Sequence, residues 1–92
     1  MPIQVEVVTP ERLVWQGPAD MVIARGAEGE LGVLPHHAPL ITFLADGVVR
    51  IRQPGGAPEL RVRARGGFLE VKPDRVTILA EEAELPEGAA GA

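Results

Sequence analysis

Ninety-two residues with a formal net charge of −4 allow one small domain, whose thin core buries roughly 60–65% of the unfolded chain's surface. Apolar residues at 46% and charged residues at 24% describe a globular chain rather than a disordered one. The absence of Cys, Ser, Tyr and Asn excludes disulfide frameworks, thiol catalysis and Ser–His–Asp chemistry, and no Gly-Lys-Ser/Thr ending of a Walker-type loop is present.

The remaining nucleophile candidates are Thr9, Thr42, Thr77, Lys72, two His and the carboxylates, so no enzymatic activity and no cofactor are expected. Nine basic against thirteen acidic residues disfavour a nucleic-acid binder driven by charge. The longest stretch without a charged side chain, Leu31 to Ala45, is short of the roughly 20 apolar residues of a spanning helix. Met1 to Glu6 has neither the basic nor the apolar region of a secretory signal, which makes the cytoplasm the expected address.

Eleven Gly and nine Pro cut the chain into short segments. Ile3, Val5 and Val7 alternate with polar residues before the Thr9-Pro10-Glu11 turn. Leu13 to Trp15 is closed by Gly17-Pro18, and Met21 to Ala24 is a continuous apolar run. Gly32 to Leu34 meets Pro35, and Leu40 to Leu44 follows Pro39. Asp46-Gly47 turns into Val48 to Arg52, and Pro54-Gly55-Gly56 connects to Glu59 to Arg65. Phe68 to Val71 and Arg75 to Ala80 complete the set, and Glu81 to Leu85 reads as a single helical turn. The pattern predicts an all-β, antiparallel sandwich or flattened barrel of eight to ten short strands, with one domain over residues 1–85 and a frayed tail over 86–92. Leu60, Val62 and Ala64 belong to one face, and Arg61, Arg63 and Arg65 to the other. Phe43 lies in a strongly apolar run and is expected in the core, whereas Trp15 fits either core or edge packing.

Gly26 to Leu40 does not read as a spacer. Gly26, Gly29 and Gly32 at three-residue intervals imply positive φ or close backbone approach at each, leaving Glu28 and Glu30 little freedom of shape. Pro35 and Pro39 stiffen the part that carries His36 and His37. Such a loop is either a contact surface for a basic partner or a tight hairpin merely solvated by its glutamates. Adjacent His residues in extended chain point to opposite faces, so a metal site is not expected. Arg50, Arg52, Arg61, Arg63, Arg65 and Arg75 form a basic stripe across neighbouring strands. It is either a docking face, for an acidic protein or for nucleic acid, or a solvated face with Glu59 and Glu70 as cross-strand partners. Only three aromatic residues, Trp15, Phe43 and Phe68, would be available for base stacking. Gly29-x-x-Gly32 and Arg65-Gly66-Gly67 are weak approximations to phosphate loops, neither followed by a helix.

Several segments in this order carry a resemblance: Val7-Val8-Thr9-Pro10-Glu11, Gly29-Glu30-Leu31-Gly32-Val33-Leu34-Pro35, His37-Ala38-Pro39-Leu40, Gly66-Gly67-Phe68-Leu69-Glu70-Val71 and Val76 to Ala80. Over about Ile3 to Leu85 the chain resembles the N-terminal domain of the bacterial epsilon subunit of the F-type ATP synthase. The resemblance implies a ten-stranded sandwich at the foot of the rotating central stalk, bound to the gamma subunit and touching the polar loops of the c-ring. It further implies a peripheral place on the cytoplasmic face of the bacterial plasma membrane, with membrane association only through the complex. By position, Glu30 corresponds to the acidic loop residue facing the ring and His37 to the histidine beside it. Glu28, Gly29, Leu31, Gly32 and His36 complete the ring-facing loop, and the arginine stripe (Arg50, Arg52, Arg61, Arg63, Arg65) is either gamma-facing or solvent-facing. His36 occupies a position that is usually Gly or Asn in the family, which bears on the turn before His37. Family members commonly continue into a helical hairpin to which ATP binding and inhibition of hydrolysis belong, so neither property is expected here. A naturally short form and a chain cut at the domain boundary both fit. The expected function is a non-catalytic rotor subunit coupling proton flow to ATP synthesis. The alternative is a small β-barrel nucleic-acid-binding module using the arginine face.

Overall fold

The computed structural model describes Pro2–Leu85 as ten strands and one 3₁₀ turn, Pro54–Gly56. In chain order the strands are β1 (Ile3–Val8), β2 (Leu13–Ala19), β3 (Met21–Gly26), β4 (Gly29–Val33), β5 (Leu40–Phe43), β6 (Gly47–Arg52), β7 (Leu60–Arg65), β8 (Phe68–Val71), β9 (Arg75–Leu79) and β10 (Glu82–Glu84). They form two five-stranded sheets, a first in the order β2-β1-β9-β8-β5 and a second in the order β10-β7-β6-β3-β4. Residues 86–92, where the tail is expected, lie outside the described residues.

Period-two patterning decides which side of each strand is buried. Ile3, Val5, Val7, Leu69, Val71, Val76 and Ile78 of the first sheet face Val22, Ala24, Val49, Ile51, Leu60, Val62 and Ala64 of the second. Along β7 burial alternates strictly, with Leu60, Val62 and Ala64 inside and the three arginines outside, as the sequence predicts. No polar or charged residue among those described is buried. Trp15 is half-buried against the core on the edge strand β2, its ring lying where a Cβ on Gly17 would stand.

Three features differ from expectation. β1 pairs with β9 in parallel, so the sandwich is not wholly antiparallel. Glu81 to Leu85 does not turn into a helix: β10 adds antiparallel to β7, burying Ala83. Phe43 is 63% exposed, because β5 turns Ile41 and Phe43 outward and Leu40 and Thr42 toward the interior side.

The chain passes between the sheets five times, and backbone hydrogen bonds across the body fasten two of these crossings. Leu44 N–H donates to the Gly67 carbonyl and Ala45 N–H to the Arg25 carbonyl, at 3.0 and 2.9 Å. At the other crossing, Ala80 N–H donates to the Val8 carbonyl and Glu81 N–H to the Arg65 carbonyl, both at 2.9 Å. Gly67, at φ +103°, has its Cα so close to the Leu79 backbone that any Cβ would run into that carbonyl oxygen.

Candidate functional site

β3 and β4 form a hairpin closed by only two residues, Ala27 and Glu28, since Gly26 pairs directly with Gly29. Gly29 takes φ +122°, a value L side chains rarely adopt, and this lets the chain reverse so tightly. The other two loop glycines act by space instead. A Cβ on Gly26 would press on Leu31 and Thr42 at 3.1 Å, and one on Gly32 would meet the Met21 methyl. The hairpin root is bolted to β5, because Ala27 N–H donates to the Phe43 carbonyl at 3.0 Å. Glu28 at the tip and Glu30 beside it are both exposed. Neither joins an ion pair within 4.0 Å among the described residues. Leu31 is half-buried against the core and anchors the strand from the inside. The glutamates are therefore held by backbone and neighbours while their charges stay free.

His36 and His37 sit in the turn that follows β4. His37 N–H donates to the Leu34 carbonyl at 3.2 Å, with Pro35 and His36 as the central residues. His36 takes φ +67°, the value a type II turn requires at its third position and which Gly or Asn adopt with least strain. Its N–H donates to the Pro73 carbonyl at 2.7 Å, which ties this turn to the β8–β9 connection. His37 Nδ1 lies 2.7 Å from the Ala38 carbonyl oxygen, so that nitrogen carries the proton. No group of three His, Cys, Asp or Glu among the described residues is placed to hold a metal.

The arginine stripe divides between the sheets. Arg50, Arg52, Arg61, Arg63 and Arg65 share the outer face of the second sheet, with Arg50 directly opposite Arg61. Glu59 gathers three of them, accepting from Arg50 Nε at 3.0 Å and lying 3.8 Å from Arg52 Nε and 3.5 Å from Arg61 Nε. Partial burial alone would raise the Glu59 pKa. The hydrogen bond and charge of Arg50, followed by Arg61, outweigh it and hold the carboxyl below its ordinary value of 4.5. Arg65 is shared between Asp46 at 4.0 Å and Glu82 at 3.5 Å. The expected partnership with Glu70 does not form for these five arginines, because Glu70 belongs to β8 in the other sheet, opposite Ile41 and Thr77. Arg75 also lies on the first sheet, where it approaches Glu6 at 3.9 Å. At Arg65-Gly66-Gly67 the Gly66 N–H donates to Asp46 Oδ1 at 2.9 Å; a carboxylate already takes the amide a phosphate would need.

The outer face of the first sheet carries a feature of another kind. Phe43 pairs with Phe68, Phe68 with Leu79, Leu79 with Val8 and Val8 with Leu13, one apolar residue from each of the five strands. The row crosses the whole sheet, and four of its members are among the most exposed large apolar residues. The two phenyl rings stand 5.0 Å apart and tilted by 33°. Beside them lies a depression of about 460 Å³ lined by Val8, Thr9, Pro10, Phe68, Leu79 and Ala80.

Residues 2–86 match the family model described as ATP synthase, Delta/Epsilon chain, beta-sandwich domain. The chain belongs to this family. An ATP synthase epsilon chain from Brevibacillus brevis is 57% identical over 82 residues, which are 89% of this chain and 61% of that protein. One from Frankia casuarinae is 50% identical over 86 residues, 92% of this chain and 99% of the relative. This chain thus spans about three-fifths of the Brevibacillus relative and nearly all of the Frankia one. Among solved structures, a chain of the Euglena gracilis mitochondrial ATP synthase OSCP/F1/c-ring assembly superposes with a TM-score of 0.85 at 28% identity, covering 96% of this chain and 56% of that one. A chain of the Tetrahymena thermophila central stalk/c-ring structure shares the fold, with a TM-score of 0.76 at 15% identity over 99% of this chain and 76% of its own.

In this delta/epsilon sandwich the acidic hairpin and the arginine face were recognisable as sequence features, but the apolar row was not. Its signal lies in doublets. Val7-Val8, Leu13-Val14, Phe43-Leu44, Phe68-Leu69 and Ile78-Leu79 each place one apolar side chain inside and its neighbour outside. Alternation with polar residues fails at each of these pairs, which marks a sheet with two apolar faces.

Proposed function

We propose that the protein is a non-catalytic rotor subunit in the central stalk of a proton-translocating ATP synthase, on the cytoplasmic face of the bacterial membrane. The observation that carries the reading is the β3–β4 hairpin, whose Glu28 and Glu30 are exposed, without an ion-pair partner among the described residues, and fixed by two-residue closure and the Ala27–Phe43 hydrogen bond. Carboxylates held in this way meet basic polar loops of a c-ring without a large cost of ordering. Charge complementarity at the rim of such a contact sets partner choice and encounter rate. Family membership and the likeness to chains in the two mitochondrial assemblies support the same place in the complex.

The gamma subunit docks on the first sheet, over the Phe43–Phe68–Leu79–Val8–Leu13 row, rather than on the arginine stripe. An exposed apolar row spanning five strands is the kind of surface that association removes from water. A rigid sandwich gripped by the shaft on this face and touching the ring through the hairpin transmits rotation between them and makes no bond itself. The nucleic-acid alternative is disfavoured by the placement of Trp15, Phe43 and Phe68, all on first-sheet strands, whereas Arg50, Arg52, Arg61, Arg63 and Arg65 lie on the second sheet. Purified gamma subunit mixed with this chain tests the proposal: a complex at micromolar concentration supports it, and separate elution in gel filtration contradicts it.

A further inference from the structure

The outer face of the second sheet lies across the sandwich from the apolar row. It holds a concentration of charge that neither the fold nor the stalk reading uses. Arg50 and Arg61 stand directly opposite each other on β6 and β7, a like-charge pairing that weakens a sheet. Arg52 and Arg63 lie two residues along the same strands on the same outer face. Against these four guanidinium groups the sheet sets the half-buried Glu59, shared by three of them, and the exposed Glu84, opposite Arg63 across the β7–β10 ladder. Arg63 has no ion-pair partner within 4.0 Å among the described residues. Each guanidinium carries five N–H donors in a planar fork, so most of the donors at this site are uncommitted. In a chain of net charge −4 such a cluster works against the overall balance. Exposed ion pairs add little stability that would account for it.

A depression of about 360 Å³ adjoins the cluster, lined by Val48, Arg61, Arg63, Glu84 and Leu85. Val48, which is 42% exposed, pairs with Arg63 across the β6–β7 ladder and gives this hollow an apolar wall between two cations. Glu59 acts as an internal brace, drawing Arg50, Arg52 and Arg61 together before any partner arrives. Glu84 closes the β10 side to a negatively charged partner, which leaves the approach over β6.

From this arrangement we propose that the outer face of β6 and β7 is a docking site for an acidic polypeptide segment bearing one apolar side chain. The segment's carboxylates take the free guanidinium forks, and its apolar residue fills the hollow at Val48. Polypeptide is favoured over nucleic acid because no aromatic side chain lies on this sheet and the chain is acidic overall. The inference does not depend on the stalk reading, since it involves neither the hairpin nor the apolar row.

The test uses the whole chain and two labelled twelve-residue peptides, one of glutamates around a central leucine and one with glutamines in their place, followed by fluorescence anisotropy. The glutamate peptide is expected to bind at micromolar concentration in about 50 mM salt and about tenfold more weakly in 300 mM, as screening predicts. Arg61→Gln with Arg63→Gln lowers its affinity about tenfold or more, while Arg12→Gln, on the far β1–β2 turn, leaves it unchanged. If the double variant unfolds by circular dichroism, Arg63→Gln alone supplies the readout, because that side chain makes no ion pair among the described residues whose loss would disturb the sheet. Equal binding of the two peptides, or indifference to the Arg63 substitution, overturns the proposal. Tighter binding of a twelve-nucleotide oligothymidine than of the glutamate peptide overturns it in favour of nucleic acid.

Discussion

Glu30 stands opposite Arg25 across the β3–β4 ladder, yet neither side chain forms an ion pair within 4.0 Å with any described residue. On the same sheet Glu59 is engaged by three guanidinium groups. One carboxylate is spent inside the molecule and the other is left for something outside it. The difference has a structural origin. Glu59 is half-buried beside three arginines, whereas Glu30 sits two residues past a two-residue turn on an edge strand.

Glu28→Arg combined with Glu30→Arg is expected to cost about 1 kcal/mol of stability or less, since both side chains are exposed and the one added strain is a like charge opposite Arg25 across the β3–β4 ladder. The same double variant should lower affinity for the isolated membrane sector by about tenfold or more, with the loss greatest at low salt. Urea unfolding and membrane co-sedimentation measure the two quantities separately.

Phe43→Ser and Phe68→Ser test the apolar row. Both residues are largely exposed, so unfolding free energy should fall only by about 0.5–1.5 kcal/mol per substitution, mainly from the lost ring pair. Binding of purified gamma subunit should weaken at least about tenfold for each, because truncating a central aromatic anchor removes a large share of contact energy. Wild-type affinity in both variants, read by calorimetry, would remove this face from the assignment.

The Glu59 carboxyl gives stability a defined pH dependence. Its folded pKa lies below the ordinary value of 4.5 and the unfolded chain returns it to that value, so the unfolded state binds the proton more readily. Its contribution is complete above 4.5 and disappears as pH falls through the folded value. Glu59→Gln should therefore flatten the acid limb of the stability curve, and the wild-type and variant curves should converge below that limb. Parallel curves throughout would show that the three arginines do not act on this carboxyl.

His36 tests the turn that fixes His37. A non-glycine residue at φ +67° carries strain of about 1 kcal/mol, which Asn relieves in part, so His36→Asn should stabilise by a few tenths to about 0.5 kcal/mol. His36→Val should destabilise by about 1–2 kcal/mol, because a branched Cβ fits the left-handed region worst. Chemical denaturation of the two variants decides between this account and a turn that relaxes freely.

Most of the sandwich was legible because half-buried strands advertise themselves, as the alternation of Leu60, Val62 and Ala64 with Arg61, Arg63 and Arg65 shows. What stayed hidden depends on distant partners. The parallel pairing of β1 with β9 leaves no local mark, since the two strands are brought side by side by the rest of the chain. Glu81 to Leu85 favours a helix on intrinsic propensity. Pairing with β7 overrides it, setting Glu82 and Glu84 opposite Arg65 and Arg63 and burying Ala83 between them. Phe43 was misplaced because every residue from Leu40 to Leu44 except Thr42 is apolar, and a run without alternation does not say which face is inside. The acidic hairpin was legible at the level of the site, since glycine spacing is a local property. The apolar row was not, because it is assembled from five separate strands.

The position of the hairpin tip in the assembled enzyme is the most direct test. The chain has no cysteine, so Glu28→Cys provides a single attachment point for a benzophenone probe while leaving Glu30 in place. After illumination of the reconstituted ATP synthase, the account predicts a covalent product containing this chain and a c-ring subunit. Cross-links confined to other subunits, with none to the ring, would contradict it.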